Sequence, residues 1–207
     1  IPAQGDPGRS ATLHLALNQA CNWAGLLRES MAANDVALRS IAQVDAFDRD
    51  YLGFDPEGWM LGMRARTLIR LLQLNEARAC LQQGLDREVV NWDPVIRQIA
   101  YQRFVELAWC QRDVAMAQQY ATLSTQLAQS HPSPYMKILA LWTAGLAALV
   151  AWDFGQAAHH FSDALALIQN VSIAADIETE ILVRMAECQY LSGHTEQALA
   201  TAMESAA

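Results

Sequence analysis

Two adjacent histidines, His159 and His160, are the side chains in this sequence whose type is best suited to a metal ion. They fall in an apolar helical pattern, and neighbouring residues on an α-helix point about 100° apart. Both rings therefore cannot hold one ion comfortably, and we expect one ring to face solvent and the other a neighbouring helix pair. Asp153 and Asp163 lie nearby in sequence, but neither is paired with an obvious nucleophile. We predict no metal and no cofactor.

The cysteines give no zinc or redox signature. They are widely separated, none belongs to a C-x-x-C pair, and each lies in an apolar helical stretch: Cys21, Cys80, Cys110 and Cys188. Zinc ligands usually come in pairs a few residues apart. The pattern predicts buried, reduced thiols in a cytoplasmic protein.

Known catalytic spacings are also missing from the sequence. It contains no H-E-x-x-H, no G-x-S-x-G and no protein-kinase signature. The segment GDPGRS near the start has glycines and a serine but not the spacing of a phosphate-binding loop. No nucleophile, base and orienting group can be named together, so we predict that the chain is not an enzyme.

Charge and hydropathy exclude two classes of partner. The formal net charge is −8 at pH 7, whereas binding to nucleic acid or an anionic membrane needs clustered Lys and Arg. The uncharged run at residues 138–152 is too short for a spanning helix, which needs about 18 residues. We expect no direct nucleic-acid partner and no membrane.

The elements that must position any site form a repeat of about 40 residues. A small residue opens the second helix of each predicted pair, and the steps between these residues are 40, 40, 40 and 41: Ala37, Ala77, Ala117, Ala157 and Ala198. No period-2 alternation is present, so we expect an all-α fold without a sheet. A helix pair cannot bury its apolar face alone, so neighbouring pairs must stack.

Helix boundaries can be predicted from the same repeat. N-cap residues precede proline at Asp55, Asp93 and Ser133, Ser172 is a further candidate N-cap, and Gly193 is placed to end a helix in the left-handed conformation. The predicted repeats span residues 10–47, 55–86, 93–128, 133–168 and 172–207. In the first repeat we expect a second helix over residues 35–47. We expect a loop over residues 1–9 before this repeat and a linker over residues 48–54 after it.

The fourth repeat gives the sharpest packing prediction. Leu141, Gly145 and Ala148 share one face of its first helix, and Ala157, Phe161 and Ala164 share one face of its second. Small residues on the two faces allow close approach, and the ring of Phe161 is expected to fill the remaining gap.

These positions resemble the tetratricopeptide repeat, in which a W-x2-L-G type first helix precedes A-x3-F-x2-A in the second. The longer step is similar to repeats in MalT-like regulators and in signal-transduction ATPases, some linked to nucleotide cyclases; residues 53–77 look like repeats of the cyclase-linked chains. The resemblance implies a right-handed α-solenoid of about five antiparallel helix pairs, a single domain over residues 1–207. Because the sequence begins with Ile1 and ends in a repeat-like segment, we expect it to be part of a longer chain.

In this repeat class the first helices line a concave groove. The resemblance places there Asn22, Trp23, Trp59, Arg66, Arg103, Glu106, Trp109, Trp142, Arg184, Glu187 and Tyr190. Tryptophan can stack on a sugar, a peptide or a flat ring, and arginine can hold a carboxylate. The alternative is that the tryptophans fill gaps between helices and the arginines are solvated or ion-paired at the surface, where we expect Arg66 and Arg103.

Two functions remain open at this stage. The first is a non-catalytic sensor of a small-molecule effector or partner protein, which acts on neighbouring domains of a larger signalling or transcription-regulatory chain. The second is a scaffold that binds a protein or peptide through the groove, or that self-associates, for example as a homodimer.

Overall fold

Residues 6–88, 93–171 and 173–206 are described by a computed structural model. Over these ranges the backbone forms eleven α-helices and one short 3-10 helix, and it forms no β-strand. The all-α prediction is confirmed for this part of the chain, while the handedness of a solenoid stays a prediction. Two compact units divide at residue 103, inside one helix.

The first unit holds helices of which the first packs on the second, both pack on the fourth, and the fourth packs on the fifth. Its elements are α1 (Pro7–Trp23), α2 (Leu27–Ser40), a 3-10 helix (Ile41–Gln43), α3 (Ala46–Leu52), α4 (Pro56–Arg70) and α5 (Leu74–Glu88), followed by the start of α6 (Pro94–Gln111). One buried apolar cluster joins α1, α2, the 3-10 helix and α4, and it includes Leu15, Ile41 and Met60.

The second unit holds the end of α6 and five further helices. Its elements are α7 (Val114–Ser130), α8 (Pro134–Val150), α9 (Phe154–Val171), α10 (Ala175–Leu191) and α11 (Thr195–Glu204). From α7 to α11 each helix packs against the next, and α8 also contacts α10. None of the described helices is both long and apolar enough to cross a membrane.

The predicted helix starts are largely confirmed. Asp55 accepts a hydrogen bond from the N–H of Gly58 at 2.9 Å, and Ser133 accepts one from Met136 at 3.2 Å. Asp93 accepts from two backbone N–H groups in the same way. The same signal was missed at Asp6, which caps α1 with proline at the next position, so the predicted loop over residues 1–9 is wrong from residue 7 onward. Ser172 lies outside the described residues.

A left-handed residue turns the chain between the two helices of every pair. These residues are Gly25, Leu72, Arg112, Trp152 and Gly193, all with φ between 54° and 84°. Each residue donates its N–H to the carbonyl three positions back, and the next residue donates to the carbonyl five positions back. This is the hydrogen-bond pattern of a Schellman C-cap. The steps between them are 47, 40, 40 and 41.

The five alanines that define the predicted repeat occupy the same helix position in four pairs but a different one in the first. Ala77, Ala117, Ala157 and Ala198 are each the fourth residue of their helix, and all are buried. Ala37 is buried too, but it is the eleventh residue of α2. The predicted second helix over residues 35–47 and the linker over residues 48–54 are therefore wrong. An extra 3-10 helix and α3 occupy this region and lengthen the first step.

Candidate functional site

Several residues predicted to line a groove lie inside the protein instead. Arg66 and Arg103 are 4% and 6% exposed, and Trp142 is 2% exposed. The expectation that both arginines lie at the surface is therefore wrong. Neither arginine is without a partner in the fold, although the Nε atom of each is buried and donates no hydrogen bond of its own. These three side chains do not present a binding surface to solvent.

Asn22 belongs to a buried polar network that joins α1, α2 and α4. Its side-chain amide donates to the Thr67 hydroxyl at 2.8 Å, and that hydroxyl lies 3.1 Å from the Ser30 hydroxyl. Arg70 donates to the backbone and side-chain oxygens of Asn22. Both the nitrogen and the oxygen of the Asn22 side-chain amide are hydrogen-bonded within the fold, so its role here is structural.

The side chains of Trp23 and Trp59 differ in how much of each is exposed to solvent. Trp23 is 47% exposed at the end of α1, whereas Trp59 is half-buried against the apolar cluster of the first unit. The Trp59 ring packs on Phe54 with 4.8 Å between centroids. Trp59 therefore fills a gap between helices, which was the alternative reading for the tryptophans.

In the second unit the structure brings three predicted groove residues together. The guanidinium of Arg184 lies over the Trp109 ring, 4.8 Å from its centroid, and donates to a Glu187 carboxylate oxygen at 2.7 Å. Trp109 is 40% exposed, so one edge of this arrangement remains at the surface. We call Trp109, Arg184 and Glu187 the α6–α10 patch.

Two half-buried or buried thiols lie beside the α6–α10 patch. Burial, reinforced by the negative charge of Glu187 and opposed by Arg184, raises the pKa of Cys188 to about 12. Burial and the nearby carboxylate of Glu106 also raise the pKa of Cys110. Raised pKa values keep both thiols protonated at neutral pH, which disfavours nucleophilic chemistry here.

A cavity that sequence reasoning did not predict lies within the second unit. Its volume is about 560 Å³, and α7, α8 and α9 form its walls. Its apolar lining includes Ala128, Ala140, Leu141, Ala144 and Leu167. Pockets that bind small molecules usually have volumes of about 300–1,000 Å³ and mainly apolar walls. We call this space the α7–α9 cavity.

Small side chains explain why the cavity is open, and two prolines lie at one of its ends. Alanines at positions 128, 140 and 144 leave space where larger residues would close the contact between α7 and α8. Pro132 and Pro134 line one end, where the chain passes from α7 into α8.

Two of the polar residues in the lining are already satisfied by backbone groups. The Thr125 hydroxyl donates to the carbonyl of Ala121 at 3.0 Å. The Ser133 hydroxyl accepts from the N–H of Met136, as described for the α8 start. The side chains left to meet a ligand are therefore Gln129, Lys137 and His160.

Lys137 is the only lysine in the sequence. It is exposed and lines the α7–α9 cavity, so its ammonium lies where the cavity meets solvent. Among the residues that the structure describes, no carboxylate pairs with it. A cation without a partner at the mouth of an apolar cavity favours an anionic ligand group.

The two adjacent histidines have different surroundings, as their divergence on a helix predicts. His159 is exposed and lies 3.7 Å from the Asp163 carboxylate, while His160 lines the α7–α9 cavity. The Nδ1 atom of His160 is buried and has no hydrogen-bond partner. Burial, together with the charge of His159, lowers the pKa of His160, against the opposing effect of Asp163 and Asp153. The ring is therefore neutral at pH 7.

In comparisons with known proteins, no family model matches the chain and no curated protein matches it. The geometry of the α7–α9 cavity and of the α6–α10 patch is therefore the basis for a functional proposal. The alanines at 128, 140 and 144, and a lone lysine beside an uncharged run, are the sequence signals that could have indicated the cavity.

Proposed function

We propose that this chain is a non-catalytic binding and regulatory module that takes up a small molecule in the α7–α9 cavity. The observation that carries the proposal is the cavity itself, with its volume of about 560 Å³ and its apolar walls. An apolar body surrounded by a few polar groups is the usual composition of a ligand site.

Regulation follows from the position of the cavity among three consecutive helices. Since α7 and α9 both pack against α8, a ligand that fills the space between them changes the free energy of that packing. A change in packing alters the contact between these helices and any neighbouring domain. Ligand binding in the cavity is thereby coupled to that domain contact. This agrees with the sensor role implied by the resemblance to MalT-like regulators and signal-transduction ATPases.

A thermal-denaturation screen with small molecules of varied chemistry tests this function. True ligands raise the melting temperature of the natural protein. They lose that effect in Ala144→Phe, because the added ring occupies the cavity. The matched control is Ala166→Phe, since Ala166 is exposed on α9 and does not line the cavity. A broad screen without a ligand, or ligands that stabilise both variants equally, would overturn the proposal.

A second candidate function is a scaffold that binds a protein or peptide. The α6–α10 patch favours it, because tryptophan and arginine dominate the binding energy of protein interfaces and Trp109 is partly exposed. Sedimentation of the protein at micromolar concentration, alone and with peptide mixtures, tests this function. Association that is weakened by Trp109→Ala supports the scaffold, and a strictly monomeric protein that binds no peptide excludes it.

A further inference from the structure

We infer that the ligand of the α7–α9 cavity is a small amphipathic monocarboxylate. Its carboxylate binds the Lys137 ammonium, and its apolar chain lies along α8 toward His160. This inference rests on the proposed function, since it names the chemical class that the cavity would take.

The first argument is the charge of Lys137. The lining contains this one fixed cation and no Asp or Glu. An ammonium that already had a carboxylate partner in the fold would add little for a ligand, but Lys137 has none among the described residues. A ligand carboxylate would form a charge-assisted hydrogen bond there without breaking an existing pair.

The second argument is the length of the apolar floor. Lys137, Ala140, Leu141 and Ala144 are successive cavity residues on α8. Seven residues of α-helix separate the first from the last, which corresponds to roughly 10 Å along the axis. That length suits a straight chain of about eight carbons, buried at about 0.8 kcal/mol for each methylene.

The third argument limits the charge of the ligand to one. Residues 104–207 contain three Lys or Arg and ten Asp or Glu, a net charge of −7, although the whole chain carries only −8. Phosphorylated ligands with two or more charges are repelled by this unit. A monoanion is repelled less, and its single charge is matched by the single ammonium of Lys137.

The fourth argument comes from His160, which precedes Phe161 on α9. Because the Phe161 ring packs on Gly145, this part of α9 lies beside the Ala144 end of the floor. His160 lines the cavity with a buried Nδ1 atom that has no partner in the fold. A buried polar atom without a hydrogen bond costs about 1–3 kcal/mol. When a bound ligand excludes water from this end, a polar group near the ligand's tail can supply the missing hydrogen bond to Nδ1. A terminal or penultimate hydroxyl is such a group.

The test uses octanoate, 1-octanol and octylammonium, which share one chain and differ in their head group. Isothermal titration with the full chain should give the order octanoate, then octanol, then octylammonium. Lys137→Met, which keeps the length of the side chain, should weaken octanoate binding by about tenfold or more and leave octanol unchanged. Lys137→Arg keeps the charge and should retain most of the octanoate affinity.

A second measurement uses the fact that Lys137 is the only lysine. Amine-reactive acylation followed by peptide mass spectrometry reports on this one side chain, separately from the amino terminus. Octanoate should slow acylation of Lys137, whereas octanol should slow it much less. Equal protection by both ligands would place the carboxylate away from Lys137 and overturn the inference.

The outcomes separate the two proposals. If octanol binds as tightly as octanoate, and both lose binding in Ala144→Phe, the cavity is a ligand site but the carboxylate class is wrong. If neither compound binds, and the wider screen also finds no ligand that depends on Ala144, the proposed function itself fails. Octanoate binding that requires both Lys137 and Ala144 supports both.

Discussion

The ring of Phe161 occupies the space that a side chain on Gly145 would need. A Cβ atom built on Gly145 would lie 2.6 Å from Cδ1 and 3.0 Å from Cζ of the ring. Phe161 is completely buried, so it cannot move away into solvent. The absence of a side chain at position 145 is therefore what lets α8 and α9 approach this closely.

Gly145→Ala should lower the free energy of unfolding by about 1–3 kcal/mol, because overpacking forces the ring or the helices to shift. Urea denaturation measures the loss. Gly155→Ala is a matched control on α9, since a Cβ there would meet only the Asp153 side chain at 3.7 Å. Equal stability of the natural protein and Gly145→Ala would show that the two helices separate easily.

Phe161→Ala should cost about 3–5 kcal/mol, the usual range for removing a fully buried aromatic ring. Chemical denaturation of the variant and the natural protein gives the difference. A loss below about 1 kcal/mol would contradict the packing described for α8 and α9.

Ala157→Leu tests the same packing between α8 and α9 by enlarging a small residue on α9. Ala157 is 0% exposed, and a larger side chain there should cost about 1–3 kcal/mol by overpacking. Circular dichroism during urea denaturation checks this value. A neutral result would mean that the helix crossing has unfilled space.

Arg112→Gly should stabilise the protein slightly. Arg112 is exposed and has φ of 54°, a left-handed conformation that costs a residue with a side chain about 1–2 kcal/mol. Glycine removes that strain but loses more entropy on folding, so we expect a net gain of about 0.5 kcal/mol. The comparison is with Arg112→Ala, which removes the side chain and keeps the strain.

Gly193→Ala should conversely lower the free energy of unfolding by about 1 kcal/mol. If Arg112→Gly were destabilising and Gly193→Ala stabilising in urea denaturation, the turn geometry would be contradicted.

The lowered pKa of His160 predicts how stability depends on pH. Its folded-state pKa lies below the unfolded-state value of about 6.5, so the unfolded chain takes up the proton first as the pH falls. The stabilising effect of the neutral ring is present above about pH 6.5 and is lost as the pH falls through the folded-state pKa.

Denaturation at pH 7.5 and pH 5.5 checks this sign. The natural protein should lose more stability between the two values than His160→Gln. His159→Gln removes the neighbouring charge but keeps the burial of His160, which is the larger cause of its lowered pKa, so its loss of stability should lie between those of the natural protein and His160→Gln. An identical pH dependence of the natural protein and His160→Gln would show that His160 is not desolvated in the fold.

Much of the fold was predictable because its signals are local. The N-caps at Asp55, Asp93 and Ser133 depend only on neighbouring residues, and the alanines at 77, 117, 157 and 198 recur at one spacing. The first pair was not predictable in this way. Ala37 lies 40 residues before Ala77 by chance, although it does not open a helix. The 3-10 helix and α3 interrupt the repeat, and no local signal distinguishes Ala37 from the alanines that do open a helix.

The candidate site was less predictable because it depends on contacts between distant residues. The resemblance grouped Trp109 with Arg184, and the structure places them in contact. Burial of Arg66 and Arg103 depends on partners that sequence spacing does not show. The alanines at 140 and 144 could equally have allowed close helix packing or left space, and only the position of α7 decides between these outcomes.

The left-handed turn also defines where this chain can be divided. Arg112 and Trp152 have nearly the same backbone conformation and the same hydrogen bonds, and the interval between them is 40 residues. The segment 113–152 is therefore a cassette with interchangeable junctions, which runs from the start of one second helix to the start of the next. Duplication or exchange of such a segment would preserve the left-handed turns at both of its ends. The length of the chain and the residues that line the cavity could then change while the turns stay the same.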